Sequence, residues 1–200
     1  TAKRAISPLL IRRLVNLDLE KKPALRFSRD MFLLSFYLRG IPFVDLVHLR
    51  KTDVKHNTIY YYRHKTRQQL SVHIESYAAQ IINRYKNEAA SSPYLLLILS
   101  LTGEDGYRQY KSALRLYNQH LHTLSKMLRL SIPLTSYVAR HSWATTAKDE
   151  GVAISVISES LGHTSEKVTH VYLASFDNNA MSKANKKVIA TIHPNKKKKP

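Results

Sequence analysis

The chain has 200 residues, 44% of them hydrophobic, enough for one domain with a sizeable core. Lys and Arg outnumber Asp and Glu by 32 to 14, and the resulting net charge of +18 points to a polyanionic partner, nucleic acid before membrane surface. The absence of cysteine excludes disulfides and thiolate metal sites, and the longest apolar run, Tyr94 to Leu99, falls far short of the roughly 20 residues that span a bilayer.

In chain order, Ile6, Leu9, Leu10, Arg13, Leu14 and Leu17 repeat at helical spacing, with Pro8 in the first turn where a missing N–H costs little. Phe27 to Leu38 reads as a second helix, broken by Gly40 and Pro42 before a third over Phe43 to Leu49. The period then changes. Lys51 to Lys55, Thr58 to Arg63 and Gln69 to Ile74 are short and rich in β-branched or aromatic residues, which predicts a three-stranded antiparallel sheet. Ser76 to Asn87 and Tyr107 to Arg129 return to helical periodicity, with a loop-rich stretch, Ala89 to Gly106, between them.

The last third is predicted to be helical. Thr135 or Ser136 is placed to cap a helix through Ala147 that Gly151 closes, and Ala153 to Leu161 forms another, stopped by Gly162. A further helix starts at Thr164 or Ser165 and ends near Tyr172. Met181 to Ile189 reads as a last amphipathic piece before a Lys-rich ending expected to be disordered. The tail beyond Phe176 holds seven lysines and one aspartate, so twelve of the net positive charges belong to the body. Ten histidines yield no metal set: His120 and His122 face different ways on a helix, and no H-E-x-x-H occurs.

The chemistry lies in Ala139-Arg140-His141-Ser142-Trp143, then Leu161-Gly162-His163, then Val171-Tyr172-Leu173. An arginine, a histidine 23 residues later and a tyrosine 9 beyond that are the parts needed to hold a phosphodiester and attack it without metal. Taken singly, each has a plainer reading as a surface charge, a structural turn histidine or one of 12 tyrosines; their order sets them apart. The series resembles the signature of the tyrosine recombinases, or phage-type integrases, which runs H-x-x-R-H, L-G-H, Y. Tyr137 stands where that family has its first histidine. His141 is read as packing against or positioning the arginine.

The resemblance, over roughly Phe27 to Lys187, implies an α+β, mainly helical catalytic domain across residues 1–176, with residues 177–200 forming a docking helix and basic tail. It implies that the family's DNA-clamping domain is absent from this chain, and the start at Thr1 suggests a preceding part that is missing or processed away. It puts a mobile catalytic lysine at Lys65, in the turn between the second and third strands. The family's other arginine, in a motif like G-L-R-x-S-E-L, has no direct counterpart: Pro42 takes its place, Asp45 matches the acid and would buttress the pocket, and Arg39 is the nearest substitute.

The implied reaction has Tyr172 attack the scissile phosphate to form a 3′-phosphotyrosyl bond, Arg140 and Arg39 neutralise nonbridging oxygens, and Lys65 protonate the leaving 5′ oxygen. His163 holds the phosphate or assists proton transfer, and no cofactor is needed. The implied partners are double-stranded DNA, three further copies in a tetramer exchanging C-terminal helices, and accessory DNA-bending proteins. The expected location is the bacterial cytoplasm, with the nucleoid. Around Tyr37-Leu38-Arg39-Gly40 and Tyr137 the likeness is to integrases of mobile elements. A type IB topoisomerase-like relaxing enzyme and a catalytically impaired DNA-binding module remain the alternatives.

Overall fold

The computed structural model describes residues 5–100 and 103–172, with side chains described as far as Thr169. Helices α1 (Pro8–Val15), α2 (Pro23–Tyr37) and α3 (Phe43–His48) lead into a 3-10 turn, Lys51–Asp53. Strands β1 (Val54–Lys55), β2 (Thr58–Tyr62) and β3 (Gln69–His73) follow, then α4 (Ser76–Arg84), the long α5 (Gly103–Met127), α6 (Val138–Asp149), α7 (Ile154–Leu161) and α8 (Glu166–Tyr172). The described residues are thus mainly helical with one small antiparallel sheet in the order β1-β2-β3. The first strand is shorter than expected because Asp53 turns back to accept from the Arg50 N–H and winds residues 51–53 into a helical turn.

Helix α2 is the hub. Its Met31, Phe32, Leu33 and Leu34 are buried, and it packs against α1, α4, α5 and α6. Helix α5 contributes Tyr117, Leu121 and Leu124 to the same core. On the sheet, strand alternation sends Ile59, Tyr61, Leu70 and Val72 inward, with Ile59 opposite Val72 and Tyr61 opposite Leu70. A smaller apolar cluster, Ala144, Ile157 and Leu161 with Trp143, fastens α6 to α7 and so fixes the distance between Arg140 and the end of α7.

Two helix ends decide the site. Gly162 (φ +63) closes α7: its N–H bonds the Glu159 carbonyl at 2.9 Å, and the His163 N–H bonds that of Ser158 at 3.1 Å. This paired closure is the Schellman arrangement; it throws His163 off the helix and leaves the Leu161 carbonyl without a helical donor. At the end of α2 the left-handed position is taken by Arg39 (φ +56), followed by Gly40 (φ +72). An arginine there costs about 1–2 kcal/mol against glycine.

The expected cap at Thr135 or Ser136 is corrected. Helix α6 begins at Val138, with Tyr137 as its flanking residue and no side-chain cap. The Ser136 N–H, which precedes the helix, is met by Asn118 Oδ1 from α5 at 2.8 Å, a long-range contact that local sequence does not reveal. Residues 173–200, including the expected Met181 to Ile189 helix, lie outside the described residues.

Candidate active site

Arg140 sits in the first turn of α6, only 3% exposed. A cation at a helix N-terminus is disfavoured by the helix dipole, so other groups must hold it. Its Nη1 donates to the Gly40 carbonyl at 3.0 Å and its Nη2 to the orphan Leu161 carbonyl at 2.6 Å. The same Nη2 meets His163 Nε2 at 3.1 Å. Gly40 is required for this approach: a Cβ there would lie 2.8 Å from Arg140 Cα. The α2–α3 turn, the start of α6 and the end of α7 therefore converge on one guanidinium.

His163 has a defined tautomer. A guanidinium only donates, so Nε2 must present its lone pair to Arg140, and the ring proton is on Nδ1. Nδ1 then donates to Thr169 Oγ1 at 2.8 Å. Desolvation, followed by the positive charges of Arg140, Arg63 and Lys65, pushes the imidazole down to about 4 from its ordinary value near 6.5. At neutral pH the ring is an uncharged acceptor.

Arg63 is the residue that the motif reading left in the background. It is buried, donates from Nη1 to Asp45 Oδ2 at 2.7 Å, and its Nε approaches the Leu161 carbonyl at 3.4 Å, beside Arg140. Asp45 also accepts from the His64 N–H at 2.9 Å, so it anchors the start of the β2–β3 turn. Strand parity held the signal: Arg63 continues the inward face of Ile59 and Tyr61, where a buried cation needs an acid.

Lys65 lies at the tip of that turn and is exposed. The turn is tied to the His163 loop by Thr66 Oγ1, which donates to the Gly162 carbonyl at 3.3 Å, and the His64 ring stacks on His48 at 5.6 Å between centroids. Arg39 is not drawn into the Arg140 cluster by hydrogen bonds: its Nη1 reaches the Ser71 carbonyl of β3 at 3.5 Å. Tyr137 is 55% exposed and lines a cleft of about 60 Å³ with Pro42, Phe43, Tyr110 and Arg140. Tyr172 ends α8, nine residues past His163, and its side chain lies outside the described residues. Tyr61, near Asp45, Arg63, Arg140 and Arg39, is pushed well above the ordinary phenol value, chiefly by burial, and stays protonated.

Among the described residues no helix is long and apolar enough to cross a membrane, and no cluster of His, Cys, Asp and Glu could hold a metal ion.

Residues 12–179 match the Phage integrase family. The tyrosine recombinase XerA of Thermococcus kodakarensis is 28% identical over 172 residues, covering 84% of this chain and 58% of the relative, so the chain spans little more than half of that protein. Among solved structures, the XerA recombinase superposes with a TM-score of 0.63 at 19% identity over 96% of this chain and 66% of the other. The XerH recombinase bound to palindromic difH in a post-cleavage complex gives 0.68 at 13% identity over 91% and 52%. The Tn1549 transposon integrase in complex with transposon right end DNA gives 0.65 at 13% identity over 95% and 68%.

Proposed function

The chain belongs to the phage integrase family, and we propose that it is the catalytic part of a site-specific DNA recombinase working through a 3′-phosphotyrosyl intermediate. The observation that carries this reading is the junction of Arg140 and His163 at the Leu161 carbonyl, which sets a buried cation beside a neutral acceptor that itself precedes a tyrosine by nine residues. Arg140 and Arg39 take the nonbridging oxygens, Tyr172 Oη attacks phosphorus, and Lys65 gives a proton to the departing O5′. Tyr137 contributes a phenol at the mouth of the Arg140 cleft. Asp45 and Arg63 form the platform beneath the turn.

The bond energy stored in the phosphotyrosine lets a different 5′-hydroxyl reverse the step, so exchange needs no nucleotide triphosphate. Double-stranded DNA is the partner, a reading supported by the +18 charge and by the DNA-bound XerH and Tn1549 relatives. Assembly is a tetramer on DNA joined through the segment after Phe176, with accessory DNA-bending proteins at the sites, in the bacterial cytoplasm.

The test is incubation with a nicked suicide DNA substrate followed by denaturing electrophoresis. A protein–DNA adduct that is lost in Tyr172→Phe supports the reading, and its absence with every integrase-type site overturns it. Relaxation of plasmid supercoils without site-specific joining would assign a topoisomerase-like activity instead.

A further inference from the structure

We infer that Arg63 is a further catalytic residue, a second buried guanidinium that takes a nonbridging oxygen of the scissile phosphate beside Arg140. The inference rests on the recombinase reading and deepens it, adding a cation from the end of β2 to those already assigned. Arg63 and Arg140 meet at one acceptor: the Leu161 carbonyl receives Arg140 Nη2 at 2.6 Å and lies 3.4 Å from Arg63 Nε. At 7% exposed, against 3% for Arg140, Arg63 is held as closely as the arginine on which the site depends. Its engaged atoms leave one edge open. Nη1 is committed to Asp45 Oδ2 at 2.7 Å and Nε to Leu161, whereas among the described residues no acceptor meets Nη2. Tyr117 Oη is the only fully enclosed polar side-chain atom without a partner among those residues, so Nη2 opens to solvent. The stem is fixed as well, because it runs over Gly162, where a Cβ would stand 3.4 Å from Arg63 Cδ and 3.0 Å from Leu70 Cδ1. After burial and Arg140, the Arg63 charge helps to hold His163 down to about 4, which puts it within electrostatic reach of the group beside Arg140.

Phosphoryl transfer calls for such a group. Negative charge grows on both nonbridging oxygens in the transition state, and donors already in place, in a site shielded from water, stabilise it most. The α3 wall of the cleft beside Arg140, formed by Pro42, Phe43 and Val44, carries no cation. Arg63 reaches the Leu161 carbonyl from the sheet and is already ordered, whereas Arg39 must first leave the Ser71 carbonyl. Asp45 offsets the burial of the guanidinium and fixes its plane by holding Nη1. When a phosphate enters, Nη2 donates to one nonbridging oxygen while Nη1 stays on Asp45. Arg63 gains and loses no proton in the cycle, since a guanidinium remains charged throughout.

The experiment compares single-turnover cleavage of two suicide substrates by the full chain. One carries the ordinary phosphodiester; the other carries a methylphosphonate, in which a methyl group replaces one nonbridging oxygen and the charge is gone. The variant is Arg63→Met combined with Asp45→Asn, which leaves no unpaired buried charge and keeps an acceptor for the His64 N–H. Wild type and Asp45→Asn alone are the references. Loss of Arg63 should slow phosphodiester cleavage by about 100-fold and methylphosphonate cleavage by less than about 10-fold, because the neutral substrate has no charge left to offset. A residue that only braces the turn would slow both alike. Equal loss on the two substrates, or no loss on either, overturns the inference. Should the double variant not fold, Arg63→Lys decides: it keeps the charge but not the fork, and the ratio of phosphodiester to methylphosphonate rates must fall by at least about threefold. Absence of any adduct from wild type overturns the recombinase reading and what is built on it, whereas an adduct from wild type with an unshifted ratio overturns the role of Arg63 alone.

Discussion

Replacing Gly40 by alanine tests the close approach on which Arg140 depends. The backbone at Gly40 has φ +72, where an L side chain costs about 1–2 kcal/mol. The new Cβ would stand 2.8 Å from Arg140 Cα, whereas ordinary contact begins at 3.4 Å, so the α2–α3 turn and α6 must separate by about 0.6 Å. Overpacking of that kind adds about 1–3 kcal/mol. Together the loss of stability should be about 2–5 kcal/mol. Taken along the Gly40 carbonyl contact, the same displacement stretches the bond to Arg140 Nη1 from 3.0 Å to about 3.6 Å, past hydrogen-bond range. A misplacement approaching 1 Å costs on the order of 10²-fold in rate, so cleavage should fall between about 10- and 100-fold. Denaturant unfolding gives the first quantity and single-turnover adduct formation the second. The neighbouring Arg39→Gly provides the control, because at φ +56 it relieves backbone strain and should raise stability by about 1 kcal/mol. A Gly40→Ala protein within about 0.5 kcal/mol of wild type that also cleaves normally would refute the reasoning.

Tyr172→Phe should abolish the covalent adduct while leaving DNA affinity nearly unchanged in a gel-shift titration, since phosphate contacts dominate binding. Arg39→Ala should slow cleavage by about 10²-fold, and Arg39→Lys should recover part of that, because an ammonium lacks the planar fork; a near wild-type rate in the alanine variant would remove Arg39 from the proposed site. Asp45→Ala leaves Arg63 buried without its carboxylate and frees the His64 N–H, so unfolding experiments should show a loss of about 3–5 kcal/mol. His163 is held down to about 4 in the fold against an ordinary value near 6.5, so the unfolded chain binds the extra proton first. Its contribution is therefore intact above pH 6.5 and declines as pH falls from 6.5 toward 4; a pH series of unfolding should be flatter in that window for His163→Gln than for wild type.

The order of elements was written locally. Helical periodicity, the switch to strand alternation between residues 54 and 73, and the glycines at 40, 151 and 162 depend on neighbours within a few residues, so the sequence by itself determined the succession of helices and strands and the places where the chain turns. The helix stop that expels His163 was equally legible in Leu161-Gly162-His163. Partnership over long separations was decided only by tertiary structure. Asn118 meets the Ser136 N–H 18 residues away, Asp45 finds Arg63, and the Leu161 carbonyl gathers Arg63 and Arg140 from 98 and 21 residues off. The cause is that a buried charge or an orphan carbonyl must find whichever group the packed core brings within 3 Å or so, and local spacing carries no record of that choice.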